Sequence, residues 1–386
     1  MERVPRYGKV SNNELERRWK AIREAMKKVG LDCLVIQTAD VNFGGMVRYF
    51  TDMPGDEVSV VFPLDDELTV VTGGPPKIDE HPSHGIKKRV ALPAFAVLNF
   101  TNELHAKAVV DALEEQKVKS IGMVSPASMS AYLYEYIKKN LPKVAMRDAT
   151  DMVDEIKAVK SEEELEYGRK AVELHDKIFE ATLKYVRPGI KEYEILSEFQ
   201  RVAKDMGSES QAGFLYSAPE GTSAMNVPTR LLSHEMKRGD QLNILIEVSG
   251  PGGFWAEIAR AICIGSASKH LKDLTQISFE LQEEMAKLMK PGVKPEEVLD
   301  THNKLLKAKG YPIEERLCSH GQGYDLVERP AIMQGEKMAL KANMFMAIHP
   351  EMIRSKEGYV FNCDNFLITR SGATRLNRTP REIFVV

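Results

Sequence analysis

Two carboxylates carry the strongest chemical signal in the sequence. An apolar run, Leu242-Asn243-Ile244-Leu245-Ile246-Glu247-Val248-Ser249, enters the turn Gly250-Pro251-Gly252-Gly253. A second apolar run, Phe254-Trp255-Ala256-Glu257-Ile258-Ala259-Arg260, leaves it. Glycine supplies the positive φ angles that such a turn needs. A three-residue loop at Pro251 to Gly253 then sets Glu247 opposite Glu257. Facing residues on an antiparallel pair have Cβ atoms about 5 Å apart, and like charges there repel. A metal, a shared proton or a cationic ligand must offset that repulsion.

Three more residues could join such a site. His320 lies between Ser319 and Gly321, where close backbone approach suits a site residue. His349 precedes Pro350 at a predicted strand end and reads equally as a site base or as a hydrogen-bonded structural histidine. Cys363, in Asn362-Cys363-Asp364, reads most simply as an inert buried thiol. A nucleophilic role would require a neighbouring base, which His349 supplies only if the strands pair. Phe254 and Trp255 read most often as core or pocket wall, or else as a face that stacks on a cationic substrate group. Met225, Asn226 and Tyr324 are placed at the pocket edge, and Arg260 in a buried ion pair. His81, His84, His105, His175, His234, His270 and His302 show no ligand spacing and are assigned to the surface.

The elements that position these groups fit a two-domain α/β (α+β) chain. The 386 residues are 43% hydrophobic and 28% charged, with a net charge of −3, which is the balance of a soluble globular protein. No basic face points to nucleic acid, and no run of 18 or more apolar residues points to a membrane span. The start, Met1-Glu2-Arg3-Val4-Pro5-Arg6, lacks the apolar core of a secretory signal. The four cysteines, Cys33, Cys263, Cys318 and Cys363, are widely spaced, so a reducing cytoplasm is expected rather than a disulfide framework. Cys33 and Cys263 sit in apolar runs as small core residues.

Ser11-Asn12-Asn13-Glu14 opens a helix to about Lys28, stopped by Gly30. Strands are predicted at 32–36, 58–62 and 68–72, and helix and strand signals alternate to about residue 145. Ser161-Glu162-Glu163-Glu164 opens a long helix to about Tyr185, and another follows over 193–206. Helices near 271–289 and 295–309 interrupt a strand-rich remainder that ends in strands at 343–349 and 359–369. The domains are set at 1–150 and 151–386.

The linker Asp154-Glu155-Ile156-Lys157, Arg187-Pro188-Gly189, Lys237-Arg238-Gly239-Asp240, His320-Gly321-Gln322-Gly323 and Ile368-Thr369-x-x-Gly372 fall in one order along most of the chain. In that order they resemble the creatinase, prolidase and methionine aminopeptidase superfamily. The resemblance implies a small creatinase/prolidase-type N-terminal domain and a C-terminal "pita-bread" domain. It also implies a homodimer whose small domain closes the partner's pocket. Metal-dependent members bind two metals through two Asp, one His and two Glu. By the resemblance, Glu247 and Glu257 stand at the two Asp positions and His320 is retained. His349 and Cys363 stand where the two Glu are expected. Met225 and Val327 occupy the places of two histidines that assist peptide cleavage.

Replacing both late glutamates removes the bridge that holds two hard ions together. The favoured expectation is therefore a metal-independent, cofactor-free hydrolase. It would cleave a C–N bond in a small guanidino, amide or cyclic amidine compound, or in a short peptide. Glu247 and Glu257 would grip the cationic group, and His320 or His349 would move protons near neutral pH. Creatinase shows that such a fold can work without metal, although Met225 stands at the place of its catalytic histidine. The alternative is a metal-dependent Xaa-Pro-type peptidase with one zinc or other divalent ion in a rewired Glu/His/Cys site. A third reading is a non-catalytic pseudo-peptidase that binds a partner.

Overall fold

Alternation of buried strands with one-sided helices builds the N-terminal unit, Lys9–Lys157, in this computed structural model. The structure describes residues 10–38, 45–53, 58–73, 84–92, 102–219, 221–223, 233–350, 353–355 and 358–386. Helix α1 (Asn12–Val29) starts where Ser11 Oγ accepts the Glu14 N–H and stops where Gly30 turns left-handed at φ 68°. The Glu14 carboxylate binds Arg17 and Arg18. Next come β1 (Cys33–Thr38), α2 (Gly45–Thr51), β2 (Val58–Pro63), β3 (Leu68–Gly73), β4 (Ile86–Leu92), α3 (Asn102–Glu115), β5 (Ser120–Val124), α4 (Ala131–Asn140), β6 (Ala145–Asp148) and α5 (Thr150–Lys157). The six strands form one mixed sheet in the order β4-β3-β2-β1-β5-β6. Strand β1 is antiparallel to β2 and parallel to β5. Cys33, Val35, Val61 and Val71 of the sheet share a core with Val109 and Leu113 of α3.

His105 of α3 belongs to that core. It is 5% exposed, and its Nε2 meets Ser59 Oγ at 2.7 Å. Burial pushes its pKa down to about 4, against about 6.5 in an unfolded chain. The folded state thus excludes the proton. The stability this contributes is complete above about pH 6.5 and is lost as pH falls toward about 4. Between pH 7 and pH 5.5 the loss is about 1 kcal/mol. Urea unfolding at the two pH values should show it, and the non-titrating His105→Asn should show a shallower dependence.

The C-terminal unit runs from Ala158 to Val386. It contains α6 (Glu162–Tyr185), α7 (Glu192–Asp205), β7 (Gln211–Pro219), β8 (Asp240–Ser249), β9 (Trp255–Cys263), α8 (Lys269–Leu288), α9 (Pro295–Ala308), β10 (Ser319–Gly321), β11 (Glu328–Ala331) and β12 (Phe345–Ile348). Then follow β13 (Ile353–Ser355), β14 (Gly358–Val360), β15 (Asp364–Ile368), β16 (Ala373–Arg375) and β17 (Phe384–Val385). A full capping box starts α6: Ser161 Oγ accepts the Glu164 N–H, and the Glu164 carboxylate accepts the Ser161 N–H. One sheet has the order β17-β9-β8-β7, and a second has β11-β10-β12-β15-β16. Ile178, Phe199, Ile244, Ile246 and Ile258 join α6 and α7 to the first sheet.

The strand expected over 359–369 is not continuous. It breaks between β14 and β15 because Cys363 leaves its neighbours to exchange both backbone hydrogen bonds with Ala259 of β9, each at 3.2 Å. This crossing ties the two sheets together beside Glu257. Among the described residues no helix is long and apolar enough to cross a membrane.

Candidate functional site

The β8–β9 hairpin holds the expected register, with Glu247 opposite Glu257. Gly250 N–H bonds to the Phe254 carbonyl at 2.9 Å, closing the three-residue loop. Gly252 and Gly253 take left-handed φ values of 95° and 76°. Asn365 of β15 grips the Glu257 backbone from both sides: its Nδ2 donates to the Glu257 carbonyl at 2.6 Å, and its Oδ1 accepts the Glu257 N–H at 3.2 Å. Glu257 Oε1 accepts from Cys363 Sγ at 2.6 Å, and Oε2 accepts from Gln322 Nε2 at 3.0 Å.

Both carboxylates are buried, Glu247 at 6% and Glu257 at 1% exposure, and they share a hydrogen bond. Burial raises the pKa of Glu247, and repulsion from Glu257 raises it further, so Glu247 holds the shared proton. Burial also opposes charge on Glu257, but the imidazoles of His320 and His349 and the bonds from Glu247 and Cys363 outweigh it. Glu257 is therefore the charged member. The His320 Nε2 lies 3.7 Å from its Oε2.

Strands β10 and β12 bring the two histidines to this carboxylate. Ser319, His320 and Gly321 pair with Ile348, Ala347 and Met346, and the imidazole centroids of His320 and His349 lie 5.0 Å apart. His320 Nδ1 is 2.9 Å from the Gly321 carbonyl. A carbonyl only accepts, so Nδ1 carries a hydrogen, and Nε2 faces Glu257. His349 is 7% exposed, and burial pushes its pKa down to about 4, leaving a neutral ring. Its Nδ1 is buried without a hydrogen-bond partner among the described residues. Ligand-type atoms of Glu257, His320 and His349 all lie within 4.8 Å of one another.

Cys363 reaches the same carboxylate. Its pairing with a His349 base is not what the structure shows, because Sγ donates to Glu257. Burial, with the nearby carboxylates, raises its pKa well above that of a free thiol, so it is not an activated nucleophile. Phe254, read as core, pocket wall or stacking face, and Tyr324, placed at the pocket edge, are both buried. Their rings meet edge-on at 5.7 Å, and Phe254 meets Phe345 at 5.3 Å. Trp255 is 1% exposed, and its backbone N–H bonds to the Gly323 carbonyl; the wall reading fits it better than stacking on a ligand. Met225 and Asn226 lie outside the described residues. Arg260 forms the expected buried ion pair, with Asp364 at 2.6 Å.

Three histidines assigned to the surface are buried: His105, His175 and His302. His175 donates from Nδ1 to the Ala171 carbonyl and accepts the Val248 N–H on Nε2, which anchors β8 next to Glu247. Sequence reasoning also missed Gln322 and Asn365, which touch Glu257. Gln322 carried a signal, a long polar side chain between the glycines of His320-Gly321-Gln322-Gly323. Its loop is held by Glu328, which accepts the Tyr324 N–H at 2.8 Å and pairs with buried Lys160 at 2.6 Å. A Cβ at Gly323 would lie 2.7 Å from that carboxylate, so a larger residue there would have to displace it.

Comparison with known proteins is consistent across the chain. Residues 166–370 match metallopeptidase family M24, and residues 18–159 match the creatinase/prolidase N-terminal domain. A Xaa-Pro dipeptidase of Pyrococcus horikoshii is 26% identical over 275 residues, which cover 69% of this chain and 75% of that protein. The X-Pro aminopeptidase of Thermotoga maritima superposes with a TM-score of 0.81 at 21% identity, over 95% of this chain and 99% of that one. A prolidase from Thermococcus sibiricus gives 0.81 at 19% identity, over 98% and 100%.

Proposed function

This chain belongs to metallopeptidase family M24, with a creatinase/prolidase N-terminal domain, and from that premise we propose that it hydrolyses the C–N bond of short Xaa-Pro-type peptides using one bound divalent ion. This replaces the metal-independent expectation. The observation that carries it is the unpartnered Nδ1 of His349, buried beside the charged Glu257 and the Nε2 of His320. An orphaned buried nitrogen and a buried carboxylate charge are both costly, and a cation among them lowers both costs. The donor set fits one ion better than two, because His349 and Cys363 offer no bridging carboxylate.

Glu257, His320 and His349 would hold the ion. When bound, it supplies Lewis acidity toward a carbonyl oxygen and a bound water. Glu247 is the proton carrier, as its carboxyl faces Glu257 and is held neutral there. In turnover its carboxyl would give that proton to the leaving nitrogen and recover one from the attacking water. Gln322 Nε2 and Asn365 fix the orientation of Glu257.

The test is hydrolysis of a panel of Xaa-Pro dipeptides, set against guanidino and cyclic amidine compounds, with and without chelator. The expected result is dipeptide turnover that chelator abolishes and zinc or cobalt restores. Chelator-resistant turnover of a guanidino or amidine compound would favour the metal-free reading. Turnover of neither class would favour a binding protein.

A further inference from the structure

We infer that the buried Lys160–Glu328 ion pair is a positioning device for the site. It fixes the 321–326 loop so that Gln322 holds Glu257 in the orientation that receives the ion. The inference rests on the metal-bound reading above and adds the residues that set up its carboxylate ligand.

A continuous set of short contacts runs from Lys160 to Glu257. The Lys160 backbone is anchored where its N–H bonds to the Asn343 carbonyl at 3.0 Å. Its side chain is 2% exposed and that of Glu328 is 3% exposed, with Nζ 2.6 Å from Glu328 Oε2. The other oxygen, Glu328 Oε1, accepts the N–H groups of Tyr324 at 2.8 Å and Asp325 at 3.2 Å. These bonds fold the loop over Gln322, whose Nε2 donates to the Leu326 carbonyl at 3.3 Å. The same Nε2 donates to Glu257 Oε2 at 3.0 Å. The Gln322 N–H bonds to the Phe345 carbonyl at 2.9 Å, and the Gly323 carbonyl accepts the Trp255 N–H at 2.6 Å. The loop is thus tied to β12 and to β9 as well, and Glu328 closes the remaining side.

Stability alone is a poor account of such a pair, because the cost of desolvating two charges offsets most of their attraction. Direction is what the pair supplies. A charged acceptor makes hydrogen bonds roughly twice as strong as a neutral one, so Glu328 holds the Tyr324 and Asp325 N–H groups firmly only while it is ionised. Lys160 provides the countercharge that keeps it so in a buried place. Groups that orient a metal ligand typically account for about 10- to 100-fold in metal affinity.

Cobalt(II) alone serves as the probe. The full chain is stripped with chelator and dialysed, and its cobalt affinity is measured by competition against a chromophoric chelator, with a thermal melt alongside. Lys160→Met and Gln322→Leu should each lower the affinity by about 10- to 100-fold. Combined, they should lower it no more than about threefold beyond the larger single loss, because both act through one contact. A pair that only staples the fold predicts a lower melting temperature with the parent's affinity in the folded chain. That result would overturn the inference, as would two losses that simply multiply. If Lys160→Met does not fold, Lys160→Met/Glu328→Gln, which strands no buried charge, is measured in its place. A loss of at least about tenfold is expected there, and the parent's affinity would overturn the inference. Absence of cobalt binding in the unmodified chain would overturn the metal-bound reading and the inference with it.

Discussion

Glu257→Gln will lower kcat/KM on a Xaa-Pro dipeptide by about 10³-fold while leaving the fold intact. The side chain has the size of the original, and the clamp from Asn365 holds only the Glu257 backbone, so β9 keeps its place. What changes is charge and hydrogen-bond direction. Cys363 and Gln322 both donate to this carboxylate, and an amide nitrogen set against either donor cannot accept. The negative charge that the proposed ion must meet is gone as well, and losing one such electrostatic contact typically costs 10²- to 10³-fold. Steady-state kinetics with a thermal melt alongside would check this. A kcat/KM within tenfold of the parent, at unchanged melting temperature, would remove Glu257 from the mechanism.

Arg260→Met will produce the largest loss of stability, about 3–5 kcal/mol. Arg260 is fully buried, and its guanidinium binds Asp364 at 2.6 Å and the carbonyls of Ala259, Cys363, Thr379 and Pro380 at 2.7 to 3.3 Å. Methionine replaces the volume and leaves those acceptors without their donor. Asp364 retains Arg375 at 3.1 Å and Arg381 at 3.6 Å, which should keep the loss inside that range. Urea unfolding at pH 7 would measure it. A shift below about 1 kcal/mol would show that the pair contributes little.

The parts of the site that the sequence made legible are those fixed by local periodicity. Strand pleat and turn length alone put Glu247 against Glu257, and Ser11, Gly30 and Ser161 marked helix ends through their backbone chemistry. His320 stood out through its glycine neighbour. Pairings across long sequence separations were not legible. No local signal shows that Cys363 leaves its strand to bond Ala259, and so the break between β14 and β15 was missed. Gln322 and Asn365 acquire roles only because the fold brings them to Glu257. His175 and His105 looked like solvent histidines because the Val248 N–H and Ser59 Oγ that accompany their burial lie far away in the chain. The metal-free expectation failed to anticipate the unpartnered Nδ1 of His349, since composition cannot show whether a buried nitrogen has a partner.

The most direct test of the central claim is the metal content of the chain, purified without tag or chelator, by inductively coupled plasma mass spectrometry. Glu257→Gln is prepared in parallel, and dipeptide hydrolysis is assayed on the same samples. The account predicts about one equivalent of a divalent ion in the parent and a large loss of it in the variant, with activity following the metal. Full hydrolysis by a parent chain holding only trace metal would contradict it.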